Sequence, residues 1–390
     1  MKARTGASGP LMPPGSPIPE RTPLPERTPL PKRTPPEFPV LIGDIGGTNA
    51  RFEIVSDRLA TPRSFGISKV RDYSNIDEAI ERTVLDRTSE WPRSAILAGA
   101  GPIMPRTATA PGGLDLTNSL WTIEPDDLIA RTGIGDIVLL NDFEAQAFAL
   151  TALGPEDYRE IGGGERREGR NSVVLGPGTG LGVAGLVHAD RAWVPVPGEG
   201  GHVDVGPRTC EEVAIWDHLQ KVESPLGGRV SAEQILSGRG IINVYGAVEK
   251  AIGREGKLQN ETCEPAAISA AAMDGSDDVS VQTMHLFCRV LGRVAGDLAL
   301  TFLARGGVHI GGGIAQKIAP FIERSDFRSA FEDKAPHTDI LRRIGTAIVM
   351  HPLPALRGLA AFACSPDSYA IDLSSRRWSA PETPKPTGAP

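Results

Sequence analysis

Apolar residues in this chain come in short runs that stop at glycine or at a polar pair. Val40-Leu41-Ile42 ends at Gly43-Asp44, and past Gly46-Gly47 a second run, Phe52-Glu53-Ile54-Val55, begins. Turn glycines between two strand-like runs predict a β-hairpin. Ala95-Ile96-Leu97-Ala98 predicts a buried strand. Ile137-Val138-Leu139-Leu140 predicts another, stopping at Asn141-Asp142 before an Ala-rich helix over 143–153. A second hairpin follows. Residues 172–175 lead in, Gly176-Pro177-Gly178-Thr179-Gly180 turns, and 181–187 lead out. Helical spacing is expected over 76–85 and over 279–303, the latter ended by Gly306-Gly307. Val308-His309-Ile310 then forms a strand, Gly311-Gly312-Gly313 a turn, 314–322 a helix, 347–350 a late strand and 354–362 a closing helix. Short apolar strands alternating with helices read as an α/β protein.

The chemistry sits where these runs stop. In the first hairpin, glycines let backbone N–H groups converge on an anion, Thr48 adds a hydroxyl, and Asp44 could hold a metal-bound water. A plain hairpin with a capping Asp accounts for the same residues. The second hairpin echoes the first, and two such turns could clamp a polyphosphate from both sides. Asp142 sits at a strand-to-helix junction, where open α/β sheets bind ligands. A helix N-cap would also place an Asp there. Glu199 and His202 flank Gly200-Gly201, which suits hydroxyl recognition. A metal site is the rival, without two further ligands in view. Asn118 could donate to a polar ligand or merely turn the chain. Thr209-Cys210-Glu211-Glu212 and Ser231-Ala232-Glu233-Gln234 both read as capping boxes. The first opens a helix with Val213, Trp216 and Leu219 as its apolar positions. Glu233 then reads as a favourable first-turn acid. Consecutive glycines at 311–313 let a ring or phosphate approach the backbone.

Composition narrows the class. The 390 residues are 40% hydrophobic and 23% charged, which suits a globular protein, and the net charge of −7 argues against a nucleic-acid or anionic-membrane surface. The four cysteines, at 210, 263, 288 and 364, form no CxxC pair, so free thiols in a reducing compartment are expected. No apolar run is long enough to span a bilayer, and no secretory signal is evident. Residues 1–37 carry the repeat Glu-Arg-Thr-Pro-Leu-Pro at 20–25 and 26–31. Such a segment cannot bury a core and is expected to be an extended, disordered arm, with a PxxP-type partner motif as an option. Residues 366–390 are expected to form a flexible tail.

The motifs together closely resemble the bacterial glucokinase family. They are GDIGGTNAR at 43–51, LTNSLW at 116–121, LNDFEAQA at 140–147, GPGTGLGVA at 176–184, PGEGGHVD at 197–204, VSAEQILSG at 230–238, GGGI at 311–314 and FEDK at 331–334. The resemblance runs from about Val40 to about Phe362. It implies a two-domain actin-like ATPase (ribonuclease H-like) fold of the hexokinase–actin superfamily, with a cleft between the domains. Residues 38–152 plus 351–365 would form the small domain and 153–350 the large one.

The activity implied is phosphorylation of glucose at its 6-hydroxyl by ATP with Mg²⁺, in the cytoplasm, feeding glycolysis. By the same resemblance Gly43, Asp44, Ile45, Gly46, Gly47 and Thr48 form the first phosphate loop. Gly178 and Thr179 form the second, and Gly311, Gly312 and Gly313 line the adenosine site. Asn118, Asn141, Asp142, Glu199, His202 and Glu233 fall on sugar-binding positions. Asp142 would be the catalytic base and Asp44 would reach Mg²⁺ through water. The departures are the Pro-rich arm and the stretch 351–354, where a more Gly-rich turn is expected. The zinc signature of the ROK sugar kinases is absent, so no structural metal is expected. Partners would be glucose and ATP, without nucleic acid or membrane, and the oligomeric state stays open, a homodimer being one option. Another hexose as main substrate, or a regulatory protein that lost catalysis, are the alternatives.

Overall fold

The computed structural model describes residues 35–381 apart from 108, 118, 120, 222–227 and 259–262. Its first half runs β1 (Val40–Ile45), β2 (Asn49–Val55), β3 (Arg63–Lys69), α1 (Ile76–Thr83), β4 (Ser94–Gly99), β5 (Ile103–Met104), β6 (Gly113–Asp115), β7 (Thr122–Ile123), α2 (Pro125–Thr132), β8 (Asp136–Asn141) and α3 (Asp142–Ala149). The second half starts with β9 (Tyr158–Glu160), β10 (Ser172–Pro177), β11 (Leu181–Ala189) and β12 (Ala192–Gly198). Four helices follow: α4 (Cys210–Leu219), α5 (Gly238–Ile252), α6 (Pro265–Asp274) and α7 (Asp278–Phe302). Then come β13 (Gly307–Ile310), α8 (Gly313–Lys317), α9 (Ala319–Arg324), α10 (Phe327–Glu332), α11 (Thr338–Arg342), β14 (Thr346–Val349), α12 (Pro354–Cys364) and β15 (Arg377–Ser379).

Two six-stranded sheets share one plan. The first has the order β15-β8-β4-β1-β2-β3 and the second β12-β11-β10-β13-β14-β9. In each, the entering strand starts an antiparallel meander on one side, β1-β2-β3 or β10-β11-β12. On its other side lie two parallel strands, β4 and β8 or β13 and β14. An antiparallel strand closes the far edge. The apolar runs 40–42, 95–98, 137–140 and 172–175 are the inner strands and are buried throughout.

α3 lies between the two sheets. Ala145 and Phe148 join the core of the first sheet with Leu356 and Leu359 of α12. Ala147, with Phe143 and Leu150 beside it, joins Val174, Ala184 and Leu186 of the second. α12 crosses α3 at Gly358, where a Cβ would lie 2.0 Å from the Ala145 carbonyl oxygen.

Several expectations are corrected. Residues 366–381, counted with the expected tail, are not loose: Tyr369 and Ile371 are buried, and Trp378 of β15 is buried at the edge of the first sheet, while 382–390 lie outside the described residues. The arm is shorter than expected, since Glu37 N–H already donates to Ser94 Oγ. The long helix ends at Leu303, which itself takes the left-handed conformation, not at the glycines beyond. The expected helix 314–322 is two helices, because Pro320 can open a helix but not continue one. Ser231–Gln234 opens no helix: residues 231–236 are turns, and α5 starts at Gly238 with Ser237 as its cap. Thr209 does cap α4, accepting from Glu212 N–H, but Val213 is exposed while Trp216 and Leu219 are buried.

Candidate active site

Parallel pairing sets the first group of residues. Ile45 of β1, Gly99 of β4 and Asn141 of β8 stand in register at the carboxyl ends of adjacent strands. Asp44 lies one residue before that line and Asp142 one residue past it. The N-cap of α3 is Asn141, whose Oδ1 accepts from Phe143 N–H at 2.9 Å, while Glu144 accepts from the Asn141 N–H at 2.9 Å. Buried Glu144 is in turn held by Arg376 Nη1 at 2.7 Å. Asp142 is the first helical residue, and its Oδ1 accepts from the same Phe143 N–H at 3.0 Å.

Burial pushes the Asp142 carboxyl up to about 6, with the nearby Asp44 and Glu199 charges adding to it and the Phe143 N–H opposing. Burial also raises Asp44, and Arg51, directly across the hairpin, opposes it from 3.6 Å. Sequence reading assigned Arg51 no role; its place opposite Asp44 in a two-residue-period hairpin was the available signal.

The first turn closes by Gly46 N–H donating to the Asn49 carbonyl at 2.9 Å. Gly47 and Thr48 line a cavity of about 710 Å³, with Lys69, Arg71, Ser119 and Trp121 around it. Lys69 ends β3 and Arg71 lies just past it; neither was singled out from sequence. Gly43 and Ile45 are buried. A Cβ at Gly43 would lie 2.7 Å from Leu97 Cδ2, so this glycine serves strand packing.

The second turn is closed by Gly178 N–H donating to the Gly180 carbonyl, and Gly238 N–H donates to the Gly178 carbonyl. Gly178 does not have a positive φ, and a Cβ there would meet nothing nearer than the Gly180 oxygen at 4.0 Å. The fold does not require glycine at this position. Gly182 is the opposite case, since a Cβ would lie 1.8 Å from the Phe143 ring, and at Gly176 it would lie 3.0 Å from the same ring. The residue after Asp142 is therefore wedged against the second hairpin.

Glu233 is built into that hairpin. Its carboxylate accepts from Leu181 N–H at 2.9 Å, and its own N–H donates to Gly201 at 2.8 Å. That brings Glu233 to the loop holding Glu199 and His202, which face one another at 3.9 Å and are both exposed. Gly311 N–H donates to the Leu175 carbonyl, and Gly312, at φ 84°, passes so close to Pro177 that a Cβ would lie 2.5 Å from its carbonyl oxygen. Gly311 and Gly312 thus abut the second hairpin, while Gly313 opens α8. Asn118 lies outside the described residues. Among the described residues no group of three or more His, Cys, Asp or Glu is placed to hold a metal, and no helix is long and apolar enough to cross a membrane.

The sequence model of a family described as Glucokinase matches residues 41–365. The chain belongs to the glucokinase family. Among its relatives, the glucokinase of Chelativorans sp. (strain BNC1) is 51% identical over 342 residues, covering 88% of this chain and 96% of the relative. A crystal structure of glucokinase from an Antarctic psychrotroph superposes with a TM-score of 0.72 at 30% identity, covering 85% of this chain and 100% of that one. A ROK family glucokinase from Streptomyces griseus, in complex with glucose and AMPPNP, shares the fold at a TM-score of 0.53 and 21% identity, covering 82% and 97%. The family's reaction, ATP-dependent phosphorylation of glucose, is the activity the sequence motifs implied.

Proposed function

We propose that this glucokinase works between its two sheets, with ATP phosphates held by the two glycine hairpins and glucose placed against Asp142. Each sheet has the meander-plus-parallel plan of a ribonuclease H-like unit, and the two together make the actin-like ATPase arrangement. Residues 38–152 with 351–365, and now β15, form one lobe, and 153–350 the other. Glucose would be held by Asn118, Asn141, Glu199, His202 and Glu233, all offering groups suited to sugar hydroxyls. Asn141 has its oxygen committed to the cap of α3, so its amide nitrogen is the end left to donate. The glycines 311–313 leave the adenosine a backbone surface. The oligomeric state stays open, a homodimer being one option. Free cysteines support a cytoplasmic setting.

Asp142 accepts the proton of the glucose 6-hydroxyl as that oxygen forms its bond to the γ-phosphorus. The bond from phosphorus to the ADP oxygen breaks, giving glucose 6-phosphate and ADP. A carboxylate raised to about 6 is still mostly ionised at neutral pH, yet is a stronger base than an ordinary aspartate. Mg²⁺ usually keeps several waters and takes one or two carboxylates besides the phosphates, and the half-buried Asp44 fits that need. Bound there, the ion would neutralise charge developing on the phosphates. Lobe closure would exclude water, the competing acceptor.

The observation that carries this reading is the placement of Asp44 and Asp142 at the carboxyl ends of β1 and β8, two strands apart in one sheet, with Phe143 packed against the second hairpin beside them. Asp142→Asn tests it in a coupled ADP-release assay with glucose. Turnover should fall at least about a hundredfold, with glucose still bound. Near-normal turnover would show that Asp142 is not the base.

A further inference from the structure

At the amino ends of β13 and β14 lies a second cavity, of about 270 Å³, lined by Arg167, Arg305, Asp339, Ile340, Arg343 and Ile344. Gly311 and the nucleotide side lie at the other end of β13, about 13 Å away at roughly 3.3 Å per residue. Three segments far apart in sequence are tied together here. Arg167 N–H donates to the Arg305 carbonyl at 3.0 Å, and Glu165 N–H donates to the Arg343 carbonyl at 3.3 Å. Glu165 and Ile344 also form a parallel bridge. Each segment thereby brings one arginine to the lining of the same hollow, beside buried Ile344.

The charges there are poorly compensated. Arg167 meets only the exposed Glu165 on its own loop, at 3.4 Å. Among the described residues Arg305 and Arg343 have no ion-pair partner. The one acidic group lining the cavity, Asp339, is engaged by Arg342 at 3.2 Å. In a chain of net charge −7, three arginines line one concavity. Gathered like charges repel, and an anion bound between them would offset that cost. Guanidinium forks match phosphate oxygens two at a time. The volume is below the ~300–1,000 Å³ of drug-sized sites, so a nucleotide is too large and a single phosphate group with a short carbon skeleton fits.

We propose that this cavity is a second anion site, which binds a phosphate group, either as the free ion or on a small phosphomonoester. The test is calorimetric titration of the full chain, already saturated with glucose and a non-hydrolysable ATP analogue so that the catalytic phosphate positions are filled. Inorganic phosphate and glycerol 3-phosphate are the two probes. One saturable event per chain is expected. It should weaken at least about tenfold, near 1.4 kcal/mol, in the Arg305→Gln/Arg343→Gln variant, with glucose and nucleotide affinities unchanged. Tighter binding of glycerol 3-phosphate would support a metabolite as the ligand, and equal binding the free ion. Absence of a saturable event, or equal affinity in the variant, would overturn the proposal. Both side chains are exposed and unpaired, so the fold should survive; Arg343→Gln alone gives the same reading should the double variant not fold.

Discussion

The turn after β1 and the turn after β10 occupy equivalent places in two sheets of the same plan, yet they hold different chemistry. After β1 the neighbours across the sheet are acidic: Asp44 in the strand itself and Asp142 two strands over, with the Asp44 charge helping to raise the Asp142 carboxyl. After β10 the neighbours are glycines and backbone carbonyls, and the nearest acid, Glu233, is spent on the Leu181 N–H. A repeated topology therefore supplies two equivalent mouths. On the proposed reading, side chains would make one of them a place for proton transfer and metal, and their absence would leave the other open to close approach.

Substitutions should sharpen this contrast. Asp142→Asn acts on the first mouth and carries the largest expected effect, a hundredfold or greater loss of turnover with glucose affinity kept. Gly182→Ala attacks the contact between the two. Its methyl would overlap the Phe143 ring, so overpacking should cost about 1–3 kcal/mol. A lower melting temperature by scanning calorimetry together with reduced turnover is expected; an unchanged melting temperature would mean that Phe143 is not wedged.

Gly178→Val is the cleaner probe of the second mouth, because the fold leaves room there. The protein should melt as before while ATP binding weakens about tenfold and glucose binding stays. Equal weakening of both ligands would make the turn structural. The acid limb of kcat/KM gives a milder test. With Asp142 needed as carboxylate and its pKa raised to about 6, activity should be nearly full at pH 7.5 and fall about tenfold per unit well below pH 6. A limb near pH 4 would show the raised value to be absent in solution. Removing residues 1–34 should change neither turnover nor melting temperature, since that stretch is too poor in apolar residues to bury a core. A drop of several degrees would show that it docks.

Inner strands were legible because each is an apolar run bounded by glycine or a polar pair, as with 40–42 and 172–175. β3 was not, since Arg63–Lys69 is mostly exposed and shows no clean alternation. β12 was hidden by Pro195 and Pro197, which an edge strand tolerates. β15 had only Trp378 to announce it. The proposed site residues were named through whole motifs. Their individual settings were not: Gly43, Gly178 and Gly182 look alike in sequence, but a Cβ would meet Leu97 at the first, open space at the second and the Phe143 ring at the third. The Ser231 box failed because Glu233 is drawn to Leu181 and Gly201, contacts between segments that local pattern cannot register.

The place of α3 between both sheets has an evolutionary consequence. Most helices answer to one core, and a substitution on the other face meets water. Here Ala145 and Phe148 answer to one sheet, and Phe143 and Ala147 to the other. Gly358 brings the α12 backbone against the Ala145 carbonyl. Drift in either half must therefore leave 143–149 almost unchanged, and a saturation library should find this short stretch less tolerant than the glycine turns it joins.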